Sequence, residues 1–128
     1  MSSFGSPVRL KGQFLLFVAA IFLLGASGGV TETIFNNFLN DTFDISAQAR
    51  GTLEFPRELP GFLVAIFAGA LFFLTEKRMA ALSAFIIFVG LVGLAYTGNS
   101  YAVMVGAMVV WSMGQHLFMP LQNSIGLA

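Results

Sequence analysis

The chain has 128 residues, of which 57% are hydrophobic and 9% charged, with 15 phenylalanines and a mean hydropathy of +0.86. This composition excludes an ordinary soluble domain and predicts an integral membrane protein in contact with the lipid bilayer. Zero formal charge argues against a nucleic-acid partner, and the lack of cysteine, with His116 as the single histidine, leaves no expected metal or cofactor site.

Four apolar stretches follow a short N-terminal segment, residues 1–11, and predict four transmembrane helices. Each approaches the roughly 20 residues that cross about 30 Å of hydrocarbon. The predicted fold class is therefore all-α, a polytopic membrane helix bundle. Its expected spans are about 12–38, 46–75, 79–97 and 101–125, together a membrane domain over 12–128.

Positive residues predict the orientation of these spans, because cytoplasmic loops carry an excess of lysine and arginine. Four basic residues fall on one side of the predicted bundle and two on the other. The first set is Arg9, Lys11, Lys77 and Arg78, and the second is Arg50 and Arg57. The N-terminus is thus predicted to be cytoplasmic, in a multi-pass protein of the cell membrane. A cleaved signal peptide is the alternative for the first span, although the apolar character continues past Gly29.

The first predicted span has a polar and small-residue face. At about 100° per residue, Gly25, Gly29, Glu32 and Asn36 share this face, and the two glycines form a GxxxG pattern. Glu32 and Asn36 are candidates for a solute or proton pathway. The alternative is that Glu32 only marks the outer, hydrated end of the helix.

The second predicted span contains the stretch RGTLEFPRELPGF, in which four charges and two prolines precede an apolar run. Residues 59–75 alone are too short to span the hydrocarbon, so the helix is expected to extend back to about Ser46. The charges then form one stripe along the helix. They are expected to pair with one another or to line a hydrated cavity, because a charge at the bilayer centre costs about 2.5–3.5 kcal/mol. These pathway candidates are Arg50, Glu54, Arg57 and Glu58.

The two prolines of this stretch remove backbone donors and are expected to free the carbonyls of Thr52 and Pro56. The alternative is a helix that begins at Pro56, which would leave the charges in an interfacial segment.

The third predicted span is almost wholly apolar and is expected to face lipid. The fourth has a polar stripe that includes Ser112 and His116, which is either a proton-coupling residue or a hydrogen-bonding partner of a neighbouring helix.

Two stretches resemble one bacterial subgroup of the major facilitator superfamily of transporters. The patterns RGxLExPRExPGF and WSxGxHLxMPLxxSI are matched by RGTLEFPRELPGF, residues 50–62, and WSMGQHLFMPLQNSI, residues 111–125. The superfamily signature between spans two and three, Gly-x-x-x-Asp-Arg-x-Gly-Arg-Arg, is only partly present. Gly69, Lys77 and Arg78 fit it, whereas Phe73 and Leu74 stand at its Asp and Arg.

This resemblance implies secondary active transport of a small solute by alternating access, frequently coupled to protons. It also implies twelve spans in two halves, so the chain is expected to be an N-terminal fragment whose partners are the missing C-terminal spans and the solute. Two alternatives stay open. One is a small four-span multidrug exporter that acts as a dimer, and the other is a membrane assembly subunit that does not transport. An enzyme is not expected, because no nucleophile, base and orienting group can be assembled.

Overall fold

The computed structural model describes the backbone of residues 7–71 and 74–126, and the side chains of residues 11–66 and 74–122. These residues form helices only, which confirms the predicted all-α class. The four helices are α1 (Pro7–Phe43), α2 (Ala47–Leu71), α3 (Glu76–Ala95) and α4 (Tyr101–Gly126).

The chain divides into two units, of which the first ends at Asn37 and contains most of α1. The side chains of this unit are mainly exposed and apolar, as a lipid-facing helix requires. The hydroxyls of Thr31 and Thr33 donate to the carbonyls of Ser27 and Gly29, at 2.8 and 2.9 Å. These bonds satisfy polar groups within the helix itself.

The second unit begins at Phe38 and contains the end of α1 with α2, α3 and α4. A short turn separates α1 from α2. Asp44 has φ +48°, a left-handed conformation that aspartate tolerates better than most residues, and it ends α1. Ser46 then starts α2, because its Oγ accepts the backbone N–H of Ala49 at 3.3 Å.

Helix α2 continues unbroken from Ala47 through both prolines. The alternative in which a helix begins at Pro56 is therefore wrong. With 25 residues, α2 is about 37 Å long at 1.5 Å per residue.

Helices α3 and α4 form an antiparallel hairpin. Gly98, with φ +54°, lies in the turn between them, and the N–H of Ser100 donates to the carbonyl of Thr97 at 3.1 Å. The Oγ of Ser100 then accepts the N–H of Val103 at 3.5 Å, at the start of α4. The sequence YTGNSY thus breaks the helix where the polar and glycine residues predicted a turn.

The hairpin has an unusually close backbone contact. A Cβ placed on Gly90 would lie 2.4 Å from the backbone of Trp111, and one on Gly114 would lie 2.7 Å from the backbone nitrogen of Ile87. Ser83 is fully buried in the same face of α3, and its hydroxyl donates to the carbonyl of Met79 at 2.7 Å. The expectation that this span simply faces lipid is therefore wrong for one side of α3.

Three of the described helices are long and apolar enough to cross a membrane. These segments are Lys11–Phe43, Glu76–Ala95 and Tyr101–Gln122. Helix α2 is not among them, because four charges lie in its first half. The chain therefore has the character of a membrane protein.

Candidate functional site

Helix α2 packs against α4 through one narrow face. Leu53 and Pro60 are buried on this face, and Arg57 lies between them with only 22% of its side chain exposed. Glu54 and Glu58 are more open, with 58% and 55% of their side chains exposed. Of the predicted charged stripe, the arginine therefore lies closest to α4, and the two carboxylates lie beside the contact.

Arg57 connects three groups at this contact. Its Nη1 lies 3.4 Å from Oε1 of Glu54, one helical turn earlier. Its guanidinium carbon lies 5.9 Å from the ring centre of Trp111 on α4, within the range of a cation–π interaction. Its backbone carbonyl accepts a hydrogen bond from the hydroxyl of Ser112. These contacts fix the middle of α2 on α4.

The bond from Ser112 lies at the turn where α2 lacks backbone donors. Pro56 and Pro60 cannot donate to the carbonyls of Thr52 and Pro56. A serine hydroxyl on a neighbouring helix is a common way to satisfy backbone groups near a proline in a membrane helix. Here the hydroxyl bonds the carbonyl of Arg57, one residue after Pro56, so the interhelical bond and the proline turn coincide.

One turn along α4 from Ser112, the imidazole of His116 meets α2. Its Nε2 lies 3.5 Å from Oε2 of Glu58, a distance that suits an ion pair but exceeds that of a short hydrogen bond. A Cβ placed on Gly61 would lie 2.9 Å from the imidazole. The ring thus lies against Gly61, and a larger residue at this position would require the imidazole to shift.

An open groove of about 370 Å³ runs beside this pair. Its volume falls within the roughly 300–1,000 Å³ of small-molecule sites. Phe62, with 70% of its surface exposed, contributes a phenyl ring to the lining. The described residues of the lining are Glu58, Gly61, Phe62, Ala65 and His116.

The structure brings four of the predicted pathway residues to the contact between α2 and α4. These are Glu54, Arg57, Glu58 and His116. Arg50 lies half-buried in the first turn of α2. Within the first unit, Nδ2 of Asn36 donates to the carbonyl of Glu32 at 3.3 Å, a local bond along α1.

The residues of the predicted loop motif are placed less fully. Lys77 and Arg78 are exposed in the first turn of α3. Gly69 lies in the backbone of α2, but its surroundings are outside the described side chains. The roles predicted for all of these residues stay predictions.

Sequence reasoning did not assign Ser112 or Trp111 to the site. A signal for Ser112 was present, because it precedes His116 by four residues and so lies on the same face of α4. Trp111 begins the matched stretch WSMGQHLFMPLQNSI, but nothing in the sequence indicated its contact with Arg57; it is 1% exposed, and its ring lies 5.9 Å from the guanidinium carbon of Arg57 on α2.

Comparison of the chain with family models, with curated proteins and with solved structures gives no match.

Proposed function

We propose that this chain is the membrane-embedded part of a secondary transporter that moves a small solute by alternating access. One observation carries the proposal: two ionisable pairs, Glu54 with Arg57 and Glu58 with His116, lie where α2 packs on α4, beside an open groove. Charges in a bundle this apolar are costly in lipid, and they commonly mark solute or ion paths. A helix that only anchors the chain or packs against its neighbours does not require ionisable pairs.

In this proposal α2 also crosses the membrane. Four helices then span it, and α2 is the second of them in chain order. Its length of about 37 Å exceeds the roughly 30 Å of hydrocarbon, so it is long enough to cross. The pairing of Arg57 with Glu54 and with the ring of Trp111 lowers the cost of carrying a charge across. With four of the six basic residues on the side of the N-terminus, the proposed topology makes the N-terminus cytoplasmic.

The absence of cysteine allows a direct test of this topology. Ser46 lies before α2 and Lys77 after it, and both residues are exposed in the structure, so each is a suitable position for a single cysteine. An impermeant maleimide should label Ser46→Cys from outside intact cells and Lys77→Cys only from the cytoplasmic side. Labelling of both from one side would show that α2 does not cross, and would remove the four-span arrangement.

We propose that the complete transporter has the twelve-span fold of the major facilitator superfamily. The helices described here would be the first of its spans. The support for this proposal is the pair of matching stretches at residues 50–62 and 111–125, which the structure places on α2 and α4. These stretches contain both ionisable pairs and Ser112.

Transport itself is tested with the full protein encoded by the gene, reconstituted in liposomes. Labelled amines, sugars, amino acids and carboxylates are supplied under an imposed proton gradient and in counterflow. At least one class should enter, and Glu54→Gln should abolish its entry. The control is Glu76→Gln, a carboxylate exposed in the first turn of α3. No uptake of any class by correctly inserted protein would favour the assembly subunit, and transport by a 128-residue dimer would favour the small exporter.

A further inference from the structure

The groove beside Glu58 has the chemistry of a cation site. Among its described lining residues the one acidic side chain is Glu58, which is 55% exposed and lies 3.5 Å from His116. A carboxylate in such a contact keeps acceptor positions open, because each of its oxygens can accept two hydrogen bonds. The groove therefore offers negative charge to a ligand.

The remaining lining selects the kind of cation. Phe62 presents a ring that is 70% exposed, one turn after Glu58 on α2. Aromatic rings attract organic ammonium groups and tolerate their apolar substituents. Gly61 and Ala65 contribute little volume, which leaves about 370 Å³ for the ligand. Among the described side chains of this lining, the carboxylate of Glu58 is the only oxygen ligand for a small inorganic cation, so the arrangement favours an organic ammonium ion.

His116 is placed to compete with such a ligand. When protonated, its imidazole pairs with Glu58, and when neutral it leaves the carboxylate negative and unbalanced. Two helices pack on α4 near it. On α2 the charged groups near α4 are Glu58 and the preceding residue Arg57, which pairs with Glu54 one turn earlier. The charged residues of α3 lie in its first turn, at Glu76, Lys77 and Arg78.

We infer that the groove between α2 and α4 binds a small organic ammonium ion against Glu58 and Phe62, in competition with the protonated imidazole of His116. This inference rests on the proposed function, since it names the class of solute that the same site would bind for transport. Binding itself does not require transport. The ammonium group belongs either to a free solute or to the headgroup of an amino lipid.

The test measures binding of benzylammonium to the full protein in detergent by calorimetry, with benzenesulfonate as the matched anion. The ammonium probe should bind and the anion should not. Glu58→Gln should weaken binding at least about tenfold, because it removes the charge that holds the probe. Phe62→Ala should weaken it about fivefold through the lost ring. Glu76→Gln and Phe55→Ala are the controls, since Phe55 is a ring of similar exposure, 73%, outside the groove.

The competition is tested by substitution. His116→Gln removes the side chain that can pair with Glu58 as a cation, so this variant should bind the probe at least about threefold more tightly than the natural protein. Adding phosphatidylethanolamine separates the two sources: displacement of the probe that depends on Glu58 assigns the groove to a lipid amine, and no displacement assigns it to a free solute.

Three results would overturn the inference: no binding of the ammonium probe, equal binding of the anion, or binding unchanged in Glu58→Gln. Equal binding of the probe by His116→Gln and the natural protein would remove the competition. Binding with the expected pattern but without flux in liposomes would refute the transporter and leave the cation site standing.

Discussion

Replacing Gly90 with alanine tests the packing that holds α3 against α4. The new methyl would lie 2.4 Å from Cα and N of Trp111. Ordinary contact begins at about 3.4 Å, so the two backbones must separate by about 1 Å. Because the obstacle is a backbone and not the tip of a side chain, no rotamer change relieves it. Overpacking of this kind costs about 1–3 kcal/mol.

The matched control is Gly106→Ala on α4, where no described atom lies within 4 Å of the added Cβ. Alanine favours a helix over glycine by up to about 1 kcal/mol, and both variants share this gain. The difference between their free energies of unfolding is therefore the steric cost at Gly90, about 1–3 kcal/mol.

Unfolding is measured in mixed micelles titrated with sodium dodecyl sulfate. Circular dichroism follows the helices, and fluorescence follows Trp111, the only tryptophan and itself the contact partner. Gly90→Ala should unfold at a lower detergent fraction than the natural protein, and Gly106→Ala at an equal or higher one. Equal midpoints for the two variants would refute the close α3–α4 contact.

Three further substitutions separate stability from function. Gly61→Ala should weaken ammonium binding, because the added methyl takes up space in the groove that Gly61 lines. Its unfolding midpoint should stay close to that of the natural protein, because only the imidazole of His116 must move, by a few tenths of an ångström; a lost fold would contradict this. Ser112→Ala should lower the free energy of unfolding by about 1 kcal/mol through the lost bond to Arg57, as detergent titration can show. Glu54→Gln should abolish liposome uptake yet change stability by at most about 1 kcal/mol, since the side chain of Glu54 is 58% exposed; unchanged uptake would remove Glu54 from the pathway.

The helices could be predicted from the sequence because their signals are local. Apolar runs indicated where they lie, and Ser46 indicated the start of α2. Their ends were predicted less well, because caps and not hydropathy decide them. Helix α1 continues to Phe43 and not to about residue 38, and the left-handed Asp44 is what stops it.

Partners between helices could not be predicted, since helical periodicity gives the face of a residue and not the neighbour of that face. Glu54 and His116 were both candidates, yet it is Glu58 that lies beside His116. The close approach at Gly90 was missed for a related reason. A glycine within an apolar run changes hydropathy little, and its effect is seen only when a second backbone comes near.

The prolines of α2 have a mechanical consequence. A helix that lacks two backbone donors within one turn bends more easily there than along its intact turns. The α3–α4 hairpin has the opposite property, because backbones in contact at Gly90 resist sliding. Movement in this part of the chain should therefore pivot at residues 56–60, beside a stiff two-helix frame. Such a pivot would change the width of the groove while the anchoring of Arg57 on α4 is preserved.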